Sequence, residues 1–170
     1  MKLKTITLFL MLVLLFTWVF SVLKKERDLK KVLPKEIKVS KIISTYEKIG
    51  LGEGCGITIY KISPHTIEQI NKQGLDFFKN LKVARGSELS EKQSLYYFYQ
   101  DWSKTPIQES KNNKNFWSGL SCVNQKDLNK SLLKKIIQEA NEANSYYTGH
   151  KEGQLVVIPS MQIAIFAYLG

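Results

Sequence analysis

The pattern of hydrophobic and polar positions along the chain changes character after residue 23. Thr5 to Leu23 contains no charged residue, whereas charged residues are interspersed from Lys24 to Glu152. A helix over this stretch would be about 28 Å long at about 1.5 Å per residue, close to the hydrocarbon thickness of a bilayer. It would be apolar on every face, which in a soluble protein requires protein all around it. The pattern therefore predicts a single N-terminal transmembrane helix.

A cleaved secretory signal peptide is the alternative for this segment. Lys2 and Lys4 followed by an apolar run are typical of such a peptide, but its apolar region is usually about 7–15 residues long. The run here is longer, and Val19-Phe20-Ser21 is its nearest match to a small-residue cleavage site. We therefore expect an uncleaved signal-anchor.

The segment after the anchor is strongly charged. Lys24 to Leu33 predicts a helix with Glu26 and Lys30 at the favourable i,i+4 spacing. Pro34 is expected to end it, since the residue before a proline is disfavoured in helical backbone. From Lys35 to Ile49 apolar residues recur at helical intervals, although Ile37-Lys38-Val39 alternates like a strand. We predict a linker turning into a short helix. We divide the chain into the anchor with its juxtamembrane helix (1–33), a linker (34–54) and a folded domain (55–170).

A strand followed by a helix is the clearest unit in the first half of the domain. Glycines at alternate positions up to Gly56 predict a turn that leads into the strand. Ile57 to Ile62 is rich in β-branched and aromatic residues, as strands are. Ser63 and Pro64 then predict an N-cap with proline at the first helical position. Gly74 is a potential break in that helix.

The second half predicts another helix and a hairpin. Asn124, with Asp127 three residues on, predicts the N-cap of an amphipathic helix. The apolar runs 154–158 and 162–168 flank Pro159-Ser160-Met161, which predicts an antiparallel hairpin. Neither run alternates apolar with polar residues, so both faces should be covered and the hairpin should lie centrally in its sheet. The fold class predicted is α+β, with the N-terminal transmembrane helix followed by a small antiparallel sheet packed with two or three helices.

The region from Val83 to Ser121 gives weaker signals and includes a cluster of aromatic residues. We predict that five of these form a binding surface for a peptide or a glycan. The alternative is a strand or turn with alternate rings buried. The polar stretch 103–115 predicts a surface loop. The five residues of the predicted surface are Tyr96, Tyr97, Tyr99, Trp102 and Trp117.

The only two cysteines of the chain, Cys55 and Cys122, are predicted to form a disulfide. Paired cysteines are typical of exported domains. Five basic residues follow the apolar run and two precede it, which by the positive-inside rule would keep the domain in the cytoplasm. Long domains, however, translocate largely regardless of charge. We expect export; the alternative is a cytoplasmic domain with two buried free thiols.

The two cysteines and two histidines have the composition of a zinc site but not its spacing. Zinc ligands usually come in close sequence pairs, and these four residues are scattered from Cys55 to His150. We expect no metal and no cofactor. His65 is predicted in the first turn of a helix and His150 in a loop beside Gly149. A thiol-dependent hydrolase or oxidoreductase would have to use Cys122 with His150, and the chain has no phosphate-binding loop before a helix or serine-hydrolase elbow.

The formal net charge of +10 says little about the domain. Half of it lies in the first 31 residues, where lysines are placed to contact anionic lipid head groups. No run of like charges indicates nucleic-acid binding. The sequence predicts a single-pass, membrane-tethered extracytoplasmic binding or assembly module of the cell envelope, non-catalytic. Its expected partners are the lipid bilayer and another envelope protein of unknown identity; the alternative is the thiol enzyme at the membrane surface.

Overall fold

A computed structural model describes residues 2–50, 54–89, 97–107, 114–122, 129–150 and 152–170. The chain forms two compact units, Met1–Lys31 and Val32–Gly170. Helix α1, Lys2–Leu29, makes up most of the first unit. It is long and apolar enough to cross a membrane, by the same criteria that an N-terminal signal sequence would meet.

Two ion pairs lie near the C-terminal end of the first unit. Lys30 Nζ lies 2.5 Å from Glu26 Oε1, which confirms the predicted i,i+4 pair, and Lys31 Nζ lies 2.7 Å from Asp28 Oδ1. Within the apolar part of α1, the Thr17 hydroxyl donates to the Leu14 carbonyl at 2.9 Å. This bond satisfies the hydroxyl donor within the helix itself.

The second unit contains a six-stranded antiparallel sheet. Its strands are β1 (Val39–Ile49), β2 (Gly54–Ile62), β3 (Ser103–Lys104), β4 (Tyr146–Gly149), β5 (Gly153–Ile158) and β6 (Ile163–Leu169). Their spatial order is β1-β2-β6-β5-β4-β3. The predicted C-terminal hairpin is therefore confirmed, and β5 and β6 occupy the middle of the sheet. The α+β class is confirmed as well.

Both faces of the sheet are covered, as the uninterrupted apolar runs predicted. Its helices are α2 (Pro64–Gln73), α3 (Lys114–Cys122) and α4 (Lys130–Asn141). Leu155 and Val157 of β5 pack in one buried cluster with α2, whereas Val156 and Ile158 pack in a second cluster with α3 and α4. Successive residues of a strand point to opposite sides, so we call these two sides the α2 face and the α4 face.

The N-terminal boundary of α2 was predicted correctly. Ser63 has extended backbone and its Oγ accepts from the Thr66 N–H, with Pro64 at the start of the helix. The helix ends at Gly74, which has a φ of 59°. The predicted cap of the later helix, Asn124 with Asp127, lies outside the described residues. In the described part, α4 begins after Asn129, whose side chain accepts from the N–H groups of Ser131 and Leu132.

The prediction of a linker and short helix over 35–49 was wrong, because most of this segment is strand β1. It pairs with β2, and its register shifts between Val39 and Lys41 and again between Ile42 and Ser44. Each shift moves the following side chains relative to the sheet face. The two irregularities break the alternation of a strand and leave apolar residues at helix-like intervals.

The disulfide between Cys55 and Cys122 is confirmed, with the two Cα atoms 6.2 Å apart. It joins the start of β2 to the last residue of α3. Helix α3 and strands β3 and β4 were not predicted. Part of the predicted surface loop 103–115 is ordered structure, since Ser103–Lys104 pairs with Tyr146 and Tyr147.

Candidate functional site

A row of four residues crosses the sheet near its end on the α2 face. Glu47 of β1 lies opposite Gly56 of β2, Gly56 lies opposite Tyr168 of β6, and Tyr168 lies opposite Gly153 of β5. Residues directly opposite one another point to the same face of a sheet. The Tyr168 ring therefore has a glycine on each side and a carboxylate beyond one of them.

The two glycines make room for aromatic rings. A Cβ atom at Gly56 would lie 2.7 Å from Cε1 of Tyr168, and one at Gly153 would lie 2.8 Å from Cε1 of His150 and closer still to the Phe166 ring. Cβ atoms in proteins essentially never make non-bonded contacts that short. The Tyr168 ring consequently lies across Gly56, and the His150 and Phe166 rings occupy the space over Gly153.

Tyr168 reaches the edge strand through its hydroxyl, which donates a hydrogen bond to Glu47 Oε1. Burial of the phenol, together with this bond and the negative charge of Glu47, raises the pKa of Tyr168 above its ordinary value. The phenol is thus held protonated as a donor. Glu47 is exposed, and its second oxygen is not used by this bond.

His150, the first residue after β4, is buried beside these rings. Its Nδ1 accepts from the backbone N–H groups of Glu152 and Gly153, at 3.3 and 3.2 Å. An accepting Nδ1 implies that the neutral ring carries its hydrogen on Nε2. Burial lowers the pKa of His150 to about 4 and outweighs the negative charge of Glu152, which acts to raise it. The imidazole is therefore neutral at physiological pH.

These side chains border a cleft of about 350 Å³. Two carboxylates and three aromatic rings are exposed to it beside the imidazole, and no lysine or arginine is among its described lining residues. The lining residues are Val32, Glu47, Tyr97, His150, Glu152, Phe166, Tyr168 and Gly170. Its volume is at the lower end of the range for small-molecule sites.

No protein-family model, no curated protein and no solved structure matches this chain.

The predicted aromatic surface is distributed over different parts of the fold. Tyr96 lies outside the described residues. Tyr99 and Trp102 are buried, with the Tyr99 hydroxyl donating to the Val32 carbonyl and Trp102 Nε1 donating to the Leu81 carbonyl. Trp117 packs against the cluster on the opposite, α4 face. Of the four predicted aromatic residues that the structure describes, only Tyr97 lines the cleft.

The burial pattern in this segment instead follows the alternative interpretation. Tyr97 is half-buried, Phe98 is exposed and Tyr99 is buried, so neighbouring rings point alternately outward and inward. The hydrogen bonds donated by the Tyr99 hydroxyl and the Trp102 indole N–H satisfy these two polar groups within the core, as buried tyrosine and tryptophan usually require.

The cysteine and histidine candidates also lie in different parts of the fold. His65 is exposed in the first turn of α2, as predicted. His150 does follow Gly149, but it is buried and lines the cleft. Cys122 is bonded to Cys55 and is not among the described lining residues of the cleft. Among the residues that the structure describes, no three histidine, cysteine or acidic side chains are grouped so as to hold a metal ion.

Sequence reasoning did not find Glu47, Glu152, Phe166 and Tyr168 as site residues. They come from three separate segments that only the strand register brings together. One signal was present: a glycine inside a strand often marks a close approach. Gly56 in β2 and Gly153 at the start of β5 carry this signal.

Proposed function

We propose that this protein is a single-pass, membrane-tethered binding or assembly module of the cell envelope, with its folded unit outside the cytoplasm and no catalytic role of its own. The cleft on the α2 face is its binding site. A small ligand or a side chain of an envelope partner would occupy it.

The disulfide is the observation that carries the proposed location. Disulfides form and persist in oxidising compartments and are rare in the cytosol, and here the only two cysteines are paired. The uncharged run Thr5 to Leu23 is longer than the apolar region of a usual signal peptide, which favours an anchor that is not removed. The charged residues that follow α1 fit a membrane surface.

The cleft supports a binding role better than a catalytic one. Nδ1 of His150 is engaged by backbone N–H groups, and the neighbouring phenol is held in its protonated form. The thiol-dependent hydrolase or oxidoreductase is the alternative. It would require reduction of the disulfide before Cys122 offered a nucleophile.

A reporter fused to the C-terminus tests the location. An alkaline phosphatase fusion should be active, and a fluorescent protein that matures only in the cytoplasm should stay dark. Free cysteines in the native protein, revealed by full maleimide labelling without reductant, would contradict the proposal.

Membrane fractionation separates anchor from signal peptide. The protein should stay in the membrane pellet after washing with high salt, because salt screens lysine–lipid contacts but not the insertion of an apolar helix. A soluble form beginning near Val22 would instead support cleavage.

A further inference from the structure

We propose that the cleft on the α2 face binds an organic ammonium group carried on an apolar stem. The negative charges of Glu47 and Glu152 would attract the ammonium, and the rings of Tyr97, Phe166 and Tyr168 would enclose it. This inference depends on the binding role proposed above and specifies the chemical class of the ligand.

The charges of the cleft select a cation. Glu47 and Glu152 are its charged side chains among the described lining residues. The rest of the chain carries more basic than acidic residues, so the acidic lining is a local property and not a reflection of the overall charge. His150 does not repel a cation at neutral pH, because burial keeps its ring uncharged.

The aromatic rings select an organic cation over a hydrated one. Phe166 and Tyr168 stack with their ring centroids 6.1 Å apart, and the His150 ring centroid lies 5.7 Å from that of Phe166. Aromatic faces attract ammonium groups, most strongly where water is partly excluded. The same rings offer apolar surface to the carbon chain that bears the charge.

A metal ion fits the cleft poorly. Divalent cations need several oxygen or nitrogen ligands converging on one point, and the described residues provide no group of three such side chains. One oxygen of Glu47 already accepts from Tyr168. In the strand register, Glu47 lies to one side of Tyr168, and Glu152 directly precedes Gly153 on its other side. Two such carboxylates beside aromatic rings suit an ammonium, which needs hydrogen-bond acceptors but no fixed coordination.

Ligand-observed NMR titration of the full-length protein tests the proposal. The protein should be held in a maltoside detergent and phosphate buffer, because amine buffers and zwitterionic detergents would compete. The probes are Nα-acetyl-lysine methylamide, which represents a peptide side chain, and n-pentylamine, which represents a free amine. Each is compared with a neutral counterpart, Nα-acetyl-norleucine methylamide or n-pentanol.

The ammonium probe should bind at least about tenfold more tightly than its neutral counterpart, the usual scale for charge-assisted hydrogen bonds. Tighter binding of the lysine derivative than of pentylamine would indicate a peptide source, and the reverse would indicate a free amine. Equal binding of charged and neutral probes, or no binding of either, would overturn the inference.

Charge-neutral variants locate the binding. The combined change Glu47→Gln and Glu152→Gln should weaken ammonium binding by about tenfold and leave binding of the neutral probe unchanged. Glu68→Gln, at an exposed position of α2, removes the same kind of charge away from the cleft and should have no effect. An equal loss in both proteins would mean non-specific attraction and contradict the proposed site.

Two further controls keep the outcomes distinct. Thermal melts establish that the variants are folded, and Tyr168→Phe, which retains the ring, provides a milder change at the same place. A cytoplasmic C-terminus in the reporter experiment would overturn the proposed location without affecting this result. Ammonium binding that fails while the domain is exported would overturn only the ligand class.

Discussion

At the residue scale, the cleft depends on two glycines, one in strand β2 and one in strand β5, because a glycine has no side chain. Gly56 and Gly153 stand on either side of Tyr168 in the register of the sheet. With a Cβ at either position, an aromatic ring would have to move. The hydrogen bond from Tyr168 to Glu47 therefore depends on a residue that contributes no side chain.

The first prediction concerns Gly56→Ala. The new methyl group would lie 2.7 Å from both the Tyr168 ring and the Tyr46 carbonyl, and the carbonyl belongs to the paired strand. We expect the free energy of unfolding to fall by about 1–3 kcal/mol, the usual cost of overpacking. A urea unfolding curve measures this change.

Gly54→Ala is the matched control for that variant. It lies two residues earlier in the same strand, and among the described residues the nearest atom to its Cβ would be the Lys48 carbonyl oxygen at 3.7 Å. Removing a glycine there restricts the unfolded chain, so stability should be unchanged or slightly higher. Equal destabilisation by the two alanines would mean that the loss comes from glycine in general and not from the Tyr168 ring.

The second prediction concerns the pH dependence of stability at His150. In the unfolded chain this residue gains a proton below a pKa of 6.5, whereas in the fold it does so only near about 4. Between these values the unfolded state binds more protons, so the free energy of unfolding must fall as the pH is lowered from 6.5 to about 4. The contribution should be on the order of 1–3 kcal/mol.

His150→Asn isolates this contribution, since the amide oxygen can still accept from the two backbone N–H groups but does not titrate in this range. The variant should lose stability less steeply than the unmodified protein between pH 6.5 and 4. His65→Asn, at an exposed position, should follow the unmodified curve. Parallel curves for all three proteins would contradict a buried neutral His150.

At the element scale, β6 is the strand on which the sheet depends most. It pairs along its length with β2 on one side and β5 on the other, and Ile163 to Ala167 are all buried. Edge strand β1, by contrast, pairs with one neighbour, and its two register shifts reduce its regularity. Such irregularities also discourage pairing with other chains.

The third prediction is that truncation after Ser160 abolishes cooperative folding. The shortened chain would lose β6, leaving β2 and β5 without their shared partner and exposing both faces of the core. Circular dichroism during heating should show no sigmoidal transition. Leu169→Ala, at an exposed position of the same strand, should retain the transition; a cooperative melt of the truncated protein would show that β6 is not part of the folding unit.

At the scale of the whole molecule, the disulfide joins parts of the folded unit that are far apart in sequence. Cys55 and Cys122 are separated by 67 residues. Closing a loop of that length restricts the unfolded chain, which on the chain-entropy estimate stabilises the fold by about 4 kcal/mol. This is a large part of the stability of a typical domain.

The fourth prediction follows from the shared bond. Cys55→Ala, Cys122→Ala and the double variant should each lower the free energy of unfolding by a similar amount, because each breaks the same bridge. Unfolding in urea without reductant measures the three values. Costs that add in the double variant would identify two independent buried thiols and would remove the main support for export.

The sequence alone determined the features that depend on local chemistry. The uncharged run from Thr5 to Leu23 predicts a long apolar helix without reference to any other part of the chain. At the start of α2, Ser63 accepts from one of the N–H groups that a helix start leaves unpaired, and Pro64 lacks an N–H group. The central hairpin was also predictable, because strands covered on both faces carry nearly continuous apolar runs. Pairing of Cys55 with Cys122 was predictable because no third cysteine competes.

Only the tertiary structure decided the edge strand and the cleft. The register shifts in β1 disguise its alternation, since periodicity carries information only while the period is constant. Glu47 is distant in sequence from Tyr168 and Gly153, and no local signal tells which residues of the other strands lie in its row across the sheet. That register is set by the packing of the two buried clusters, so the site follows from the fold and cannot be derived from the residues singly.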